Sequence, residues 1–372
     1  LALTGEVGTN SLGSPSDTRV QASFHAANAD NPNRLMVAVR QVMLPGLAAL
    51  PALRVVSFNY AGALPLGDRV RLQYGAMLNA VTMTDTVTAF SPYVRASFQI
   101  DPQSALEYRA ASAVPPLRFG QDFAEMPDPT PQVTLNQNRA RLERARHQEL
   151  RYRNSFTGSD TLSAAVFEES FRGAAVNGAL ALSGSAGPGA ASGFDGNLLP
   201  DLFNDMFIAN GGDYQGWGYR AAWDHHLGGD WHAVLGYAEG PVLAPGDGPV
   251  VMGASGPNLA ATRARAVTVK LAGTTPFTHT YLACSYRALS RAIATGLDLY
   301  DDSPAQSDSY ANLYLRQPLP RLMGGHSGRI AALIEIHNLL AQGYIPMLAT
   351  DGRTLYLVQS ARSLRGGLTF NF

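Results

Sequence analysis

Along most of the chain apolar and polar residues alternate one by one, the signature of a strand with two unlike faces. The clearest run is RVRLQYGAMLNA. Val70, Leu72, Tyr74, Ala76, Leu78 and Ala80 share one side, with Arg69, Arg71, Gln73, Gly75, Met77 and Asn79 on the other. YVRASFQI sets Val94, Ala96, Phe98 and Ile100 against Tyr93, Arg95, Ser97 and Gln99. The same period runs through RVQASFHA, HTYLACSYRA, RIAALIEIHN and the closing RSLRGGLTFNF. Similar segments fall at 34–43, 52–62, 104–112, 143–156, 160–171, 175–183, 214–227, 230–240, 261–273 and 309–318. Together they predict about sixteen strands, in a range of roughly 14 to 18. Helical spacing is confined to the long connection 184–213. There Leu198, Leu199, Leu202, Phe203, Met206 and Phe207 recur at helical intervals, and Asp195 or Asn197 can cap a short helix.

Alternation alone also fits a sandwich or a propeller. Three features select an antiparallel transmembrane β-barrel instead. The strands are long, about ten alternating residues each, which suits a tilted bilayer crossing. Aromatic residues sit near strand ends, as with Tyr60, Tyr74, Trp217, Trp223, Trp231 and Tyr237. Short connections such as GALPLGD and LGGD alternate with long polar ones at 113–140, 184–213, 241–260 and 290–308. The expected architecture is therefore one all-β outer-membrane barrel over residues 1–372, with short periplasmic turns, long extracellular loops and the lipid bilayer as its surroundings.

Composition narrows the function classes. Charged residues make up 15 % of the chain, against the roughly 25 % usual in soluble domains. VMLPGLAALPAL (Val42 to Leu53), the longest strongly apolar stretch, holds two prolines and falls short of the roughly 20 residues of a membrane-spanning helix. A net charge of −1 speaks against a nucleic-acid partner, which calls for a basic excess. Lys270 is the sole lysine, and Cys284 the sole cysteine, which excludes an internal disulfide and a cysteine metal cluster. His225 and His226 point to opposite faces of a strand, so no metal site is expected. GSAGPGAASG has no helix after it, and no Gly-x-Ser-x-Gly elbow occurs, so neither a cofactor nor an enzyme activity is expected. The start LALTGEVGTN lacks the basic and apolar regions of a signal peptide. It predicts a processed chain, or one that begins inside a longer protein.

Several segments resemble TonB-dependent receptors. ERARHQELRYRNSFTGSDTLSAAVFEESFRG is similar to that family's mid-barrel hairpin, and GDYQGWGYRAAWDHHLGGDWHAVLGYAEG to the hairpin after it. RIAALIEIHNLLAQGYIPM resembles the penultimate strand and RSLRGGLTFNF the closing one, so the likeness covers most of 140–372. It implies energised uptake of a bulky ligand with a TonB-type partner. Two departures qualify it: the family's N-terminal plug is not visible, and its 22 strands would exceed this length. The chain then reads as the C-terminal part of a receptor-like protein, or as a smaller barrel sharing the strand style.

Parity assigns a lumen. If Leu72, Tyr74, Val94, Phe98, Leu282, Ile334, Ile336, Leu368 and Phe370 face lipid, then Arg71, Gln73, Arg95, Gln99, Glu149, Arg151, Arg153, Arg287, Glu335 and His337 line the interior. Charges keep their solvation or find partners there, whereas they would not in hydrocarbon. The arginine excess in this set predicts modest anion preference, with internal Arg–Glu pairing as the competing reading. Arg139, Arg141, Arg144 and Arg146 read as the polar face of a strand end standing clear of the membrane. Leu202, Phe203, Met206 and Phe207 either constrict the barrel mouth or form an apolar cluster within their own loop. Two functions remain open: a transport barrel passing solute through a polar lumen, or a structural barrel with a blocked lumen whose long loops bind an envelope partner.

Overall fold

The structure is a computed structural model. It describes residues 2–9, 15–25, 33–42, 52–112, 132–180, 197–201, 206–246, 250–319, 329–349 and 355–371, apart from single positions or pairs at 84, 138, 251 and 254–255. Among them there is no helix.

The first strands follow one another through short connections: β1 (Ala2–Thr9), β2 (Pro15–His25), β3 (Arg34–Val42), β4 (Leu53–Pro65), β5 (Val70–Thr82), β6 (Thr86–Gln99) and β7 (Ser104–Ala111). β8 (Val133–Asn136) and β9 (Arg139–Leu142) form a separate hairpin, and β10 (Arg144–Asn154) and β11 (Asp160–Arg172) return to the large sheet. β12 (Ala175–Leu180), β13 (Leu198–Asp201) and β14 (Met206–Asn210) lie outside it, followed within it by β15 (Tyr214–Gly228) and β16 (Trp231–Pro245). β17 (Met252–Gly253) and β18 (Gly256–Pro257) are a minimal hairpin ahead of β19 (Leu259–Thr274), β20 (Tyr281–Leu289), β21 (Tyr310–Pro318) and β22 (Arg329–His337). β23 (Tyr344–Leu348) and β24 (Leu355–Gln359) leave the sheet, and β25 (Ser363–Asn371) completes it.

The large sheet has 16 strands in the order β1-β2-β3-β4-β5-β6-β7-β10-β11-β15-β16-β19-β20-β21-β22-β25. Each neighbour pair within it is antiparallel, so the chain meanders up and down. Among the described residues no ladder joins β1 to β25. The expected strand number holds, but its membership differs in two places. Ala2–Thr9 is a sheet strand that LALTGEVGTN, with little apolar alternation, does not announce. The segment at 175–183 supplies β12, which pairs with β14 and β23 in a second, five-stranded sheet.

Burial runs inside out, and this marks a membrane wall. On β10 Leu150 is 52 % exposed and Tyr152 41 %, whereas their neighbours Glu149 and Arg151 are 2 % and 9 % exposed. A soluble sheet would hide the leucine and wet the arginine. Phe90, Val166, Trp217, Trp223, Leu235 and Val269 continue the exposed apolar face on other strands. In a barrel that face meets hydrocarbon and the opposite one lines the lumen, which places the protein in an outer membrane.

The two ends of the strands differ. Turns such as Leu66–Arg69, Ile100–Gln103 and Gly229–Asp230 close one end. All the accessory strands belong to connections at the other end, the extracellular one by the general plan of such barrels. There the connections 173–213 and 338–362 join in the five-stranded sheet β13-β14-β12-β23-β24. Where spacing predicts a short helix, the structure has the hairpin β13–β14, with Leu199 opposite Ile208. Pairing onto β12 buries Phe207 and Ala209 alternately, satisfies the backbone, and overrides the weak helical pattern.

Candidate functional site

The inner faces of β6, β7, β10, β11, β15 and β20 carry charge in register. Across the β7–β10 ladder Arg109 faces Glu149 and Glu107 faces Arg151, each a pair of opposite sign. Arg95 Nη2 lies 2.6 Å from Glu107, and Arg151 Nε donates to Glu149 Oε1 at 3.1 Å. His147 stands between Glu149 (3.1 Å) and Glu169 (3.3 Å). Arg220, from β15, donates to Glu149 at 2.5 Å. Its neighbour Gly218 leaves room for the Phe167 ring, because a Cβ there would stand 2.2 Å from that ring.

The other half of the site comes from the connection between β20 and β21, residues 290–309, which enters the lumen. Asp302 pairs with Arg95 at 3.0 Å and also with Arg109 and Arg151, so one carboxylate ties three strands together. Asp298 accepts from Arg220 Nη1 at 2.8 Å, and Asp301 lies 3.3 Å from Arg220 Nε. Arg109 Nη1 donates to the Tyr300 carbonyl at 2.6 Å. Arg287 donates to the carbonyls of Ser307 (3.0 Å) and Leu297 (3.1 Å), fixing both flanks of the segment. Tyr300 stacks on His147 with ring centroids 4.0 Å apart.

Apolar contacts lock the same segment. Leu297 packs with Ala238, Val242, Ala264 and Ala266, and Ala305 with Ala222 and Val234. Gly236 permits the last approach, since a Cβ on it would come within 2.6 Å of the Ala305 Cβ. Arg95, Arg109, Arg151 and Arg220 thus meet Glu107, Glu149, Asp298, Asp301 and Asp302 in one network, which His147 extends to Glu169. Burial works against the charge on Asp302, yet the guanidiniums of Arg109, Arg151 and Arg95 hold its carboxyl well below the usual carboxylate range. Such a network fixes a segment firmly, because removal of one partner strands another charge out of water.

Of the residues expected in the lumen, Arg95, Glu149 and Arg151 belong to this network, and Arg287 holds the backbone of the lumenal segment beside it. His337 and Glu335 sit apart from it: His337 lies 3.2 Å from Asp308 and 3.6 Å from Glu335. Gln99 donates to the carbonyls of Asp101 and Ser104 and ties down a short turn. Arg71, Gln73 and Arg153 join no ion pair among the described residues; Gln73 is the ladder neighbour of Arg95. Phe207 packs with Leu198, Ala209, Val250, Leu348 and Leu355 in the external five-stranded sheet. Only the backbone of Met206 is described, and Leu202 and Phe203 lie outside the described residues.

Sequence reasoning missed Arg109, His147, Arg220 and the whole of Leu297–Asp302. The first three share the inward parity of their strands, so alternation in ALEYRA, HQELRY and GYRAAW could have found them. The segment's signal is GLDLYDDS (Asp298, Asp301 and Asp302 within it), a cluster of acids in a chain poor in charge.

No protein-family model and no curated protein matches this sequence. Solved structures give distant likenesses. The FrpB iron transporter from Neisseria meningitidis is 11 % identical, with a TM-score of 0.42 over 96 % of this chain and 56 % of its own. The ferric-catecholate import receptor Fiu from K12 E. coli is 10 % identical, with a TM-score of 0.41 over 95 % and 54 %. The NanC porin is 9 % identical, with a TM-score of 0.28 over 71 % of this chain and 95 % of its own. The chain thus spans little more than half the length of the two receptors it resembles. The architecture rests on its own ladders and inside-out burial.

Proposed function

We propose that this protein is a transport barrel of the outer membrane whose lumen is occupied by residues 290–309. Solute passes only beside this segment or after its displacement. The observation that carries the reading is the Asp302 carboxylate, held by arginines from β6, β7 and β10 while its own chain enters from between β20 and β21. A connection merely resting on the rim would not reach across the sheet to those strands.

The network also bears on selectivity. Arg95 and Arg151 spend their charge on acids of the protein, which favours internal pairing over anion attraction at that level. Arg71 and Arg153 are exposed and join no ion pair among the described residues, so they carry the anion preference of the path. Reversal potentials in planar bilayers test this. Arg71→Glu is expected to move selectivity toward cations, whereas unchanged selectivity in a conducting pore would take Arg71 off the path. Uptake driven by a TonB-type partner is part of the proposal only for a longer chain that carries a plug ahead of this barrel.

A second reading has a specific observation behind it. The five-stranded external sheet joins two long connections and gives the extracellular end an ordered surface. A permanently blocked barrel presenting that surface to an envelope partner would show no solute flux even after residues 290–309 are released.

A further inference from the structure

Three arginines stand on the outer wall at the extracellular end of β10 and β11. Arg144 and Arg146 alternate with the buried Ala145 and His147, and Arg172 follows the buried Phe171, so all three point away from the lumen and are exposed. Arg144 and Arg172 are direct partners across the ladder, and Arg146 faces Ser170. Like charges directly opposite one another destabilise a strand pair unless something neutralises them. Among the described residues none of the three arginines joins an ion pair. Two acids of this face lie close by: Asp213, which accepts from the Gly173 amide at 2.8 Å beside Arg172, and Glu168, one step further down and opposite Gln148, so the arginines outnumber the acids. Arg263 and Arg265 are also exposed on the outer face, but each donates to Glu239, at 3.0 Å.

Depth identifies what the unpaired set meets. Below it, on the same outer face, are Leu150, Tyr152, Leu162 and Val166, all exposed and apolar. The row just under Arg146 runs from Gln148 through Glu168 to Trp217, which is 60 % exposed. An exposed tryptophan on a barrel wall marks the headgroup level. From Phe156 in the opposite turn up to Arg146 is ten residues, roughly 33 Å along a strand. With the usual tilt that is about 25 Å along the membrane normal, the height of a barrel's apolar band.

We propose that Arg144, Arg146 and Arg172 form a binding site for the phosphate of an anionic lipid headgroup in the outward-facing leaflet. The acyl chains of the bound lipid lie along Leu150 and Val166. Charge complementarity supplies the first contact, and the continuous apolar wall below supplies the second. The site is independent of whether the lumen conducts.

Native mass spectrometry of the detergent-solubilised barrel, titrated with phosphatidylglycerol and in parallel with phosphatidylcholine, tests this. The unaltered protein is expected to retain phosphatidylglycerol preferentially, by on the order of tenfold or more for three interfacial arginines. The combined variant Arg144→Gln, Arg146→Gln, Arg172→Gln should lose the preference. Changing the three to lysine should keep most of it, and Arg263→Gln with Arg265→Gln should leave it unchanged. Should the triple glutamine variant fail to fold, Arg144→Gln alone decides. It removes the like-charged opposition, leaves the ladder intact, and should lower the preference several-fold. Equal retention of both lipids by the unaltered protein, or a preference that survives the glutamine changes, would overturn the assignment.

Discussion

Arg220 on β15 donates to Asp298 at 2.8 Å, joining the barrel wall to a segment that enters the lumen from the far side of β20. The same guanidinium also holds Glu149 and Asp301, so three acids depend on one positive charge. Arg220→Leu would leave those carboxylates buried without their partner, at a cost of about 3–5 kcal/mol. The variant is expected to form a barrel with a lower melting temperature and a released segment. Trypsin reports the release by cutting after Arg291, which lies at the start of the segment. Unaltered resistance at that bond would mean that Arg220 does not hold the segment.

Gly236 and Ala305 allow a test that leaves every charge in place. A Cβ at position 236 would meet that of Ala305 at 2.6 Å, so Gly236→Val forces the two apart. Valine suits a strand, and the ladder itself should survive. Expected are normal barrel circular dichroism together with faster tryptic cleavage after Arg291. A variant as resistant as the unaltered protein would show that the contact at Ala305 is dispensable.

Acid should release the segment only late. The Asp302 carboxyl is held below its ordinary value, so folding favours its ionised form. Its contribution to stability is fully present above the unfolded value of about 3.9 and fades as pH falls toward the lower folded value. Protection of the segment, followed by hydrogen exchange of the Tyr300–Ser303 amides, should therefore persist down to about pH 4. Asp302→Asn should abolish that profile. Loss of protection between neutral pH and about pH 5 in the unaltered protein would contradict the assignment of Asp302 as the anchor.

Alternation made the wall legible and left the filling obscure. From residues such as Leu72, Phe98, Leu150 and Leu282 the sequence yields the strands, their faces and the charged residues Arg95, Glu149, Arg151 and Arg287. Period two is imposed by each strand locally and needs no knowledge of its neighbours. β1 escapes because Leu3 and Val7, though on one face, are too few to mark a strand, and β12 is misassigned because period two cannot say which sheet a strand joins. The pairing of Asp302 with Arg95 spans 207 positions and depends on the curl of the whole sheet. Nothing local to DLYDD encodes it beyond an acidic complement to the arginines of the wall. Phe207 was ambiguous for a related reason, since apolar residues at mixed spacing fit a helix or a hairpin until a partner strand is known.

Cys284 gives an inexpensive check on parity, being the chain's sole cysteine. It alternates with Ser285, whose hydroxyl accepts from Ser307 of the lumenal segment at 2.6 Å, so the thiol belongs to the lipid-facing wall. In proteoliposomes a membrane-permeant maleimide should label it, and a charged, impermeant thiol reagent should not. Labelling by the charged reagent through an open lumen would place Cys284 inside and invert the face assignment of β20.

Single-barrel conductance, measured before and after removal of the lumenal segment, decides whether residues 290–309 fill the pore. The comparison is between the unaltered protein and a variant in which Ala292–Ser307 is replaced by a short glycine–serine turn, both in planar bilayers. Small or absent currents are expected for the unaltered barrel, and large, stable ones once the segment is gone. Equal conductance in the two would contradict a filled pore, and would mean that solute takes a path which residues 290–309 do not occupy.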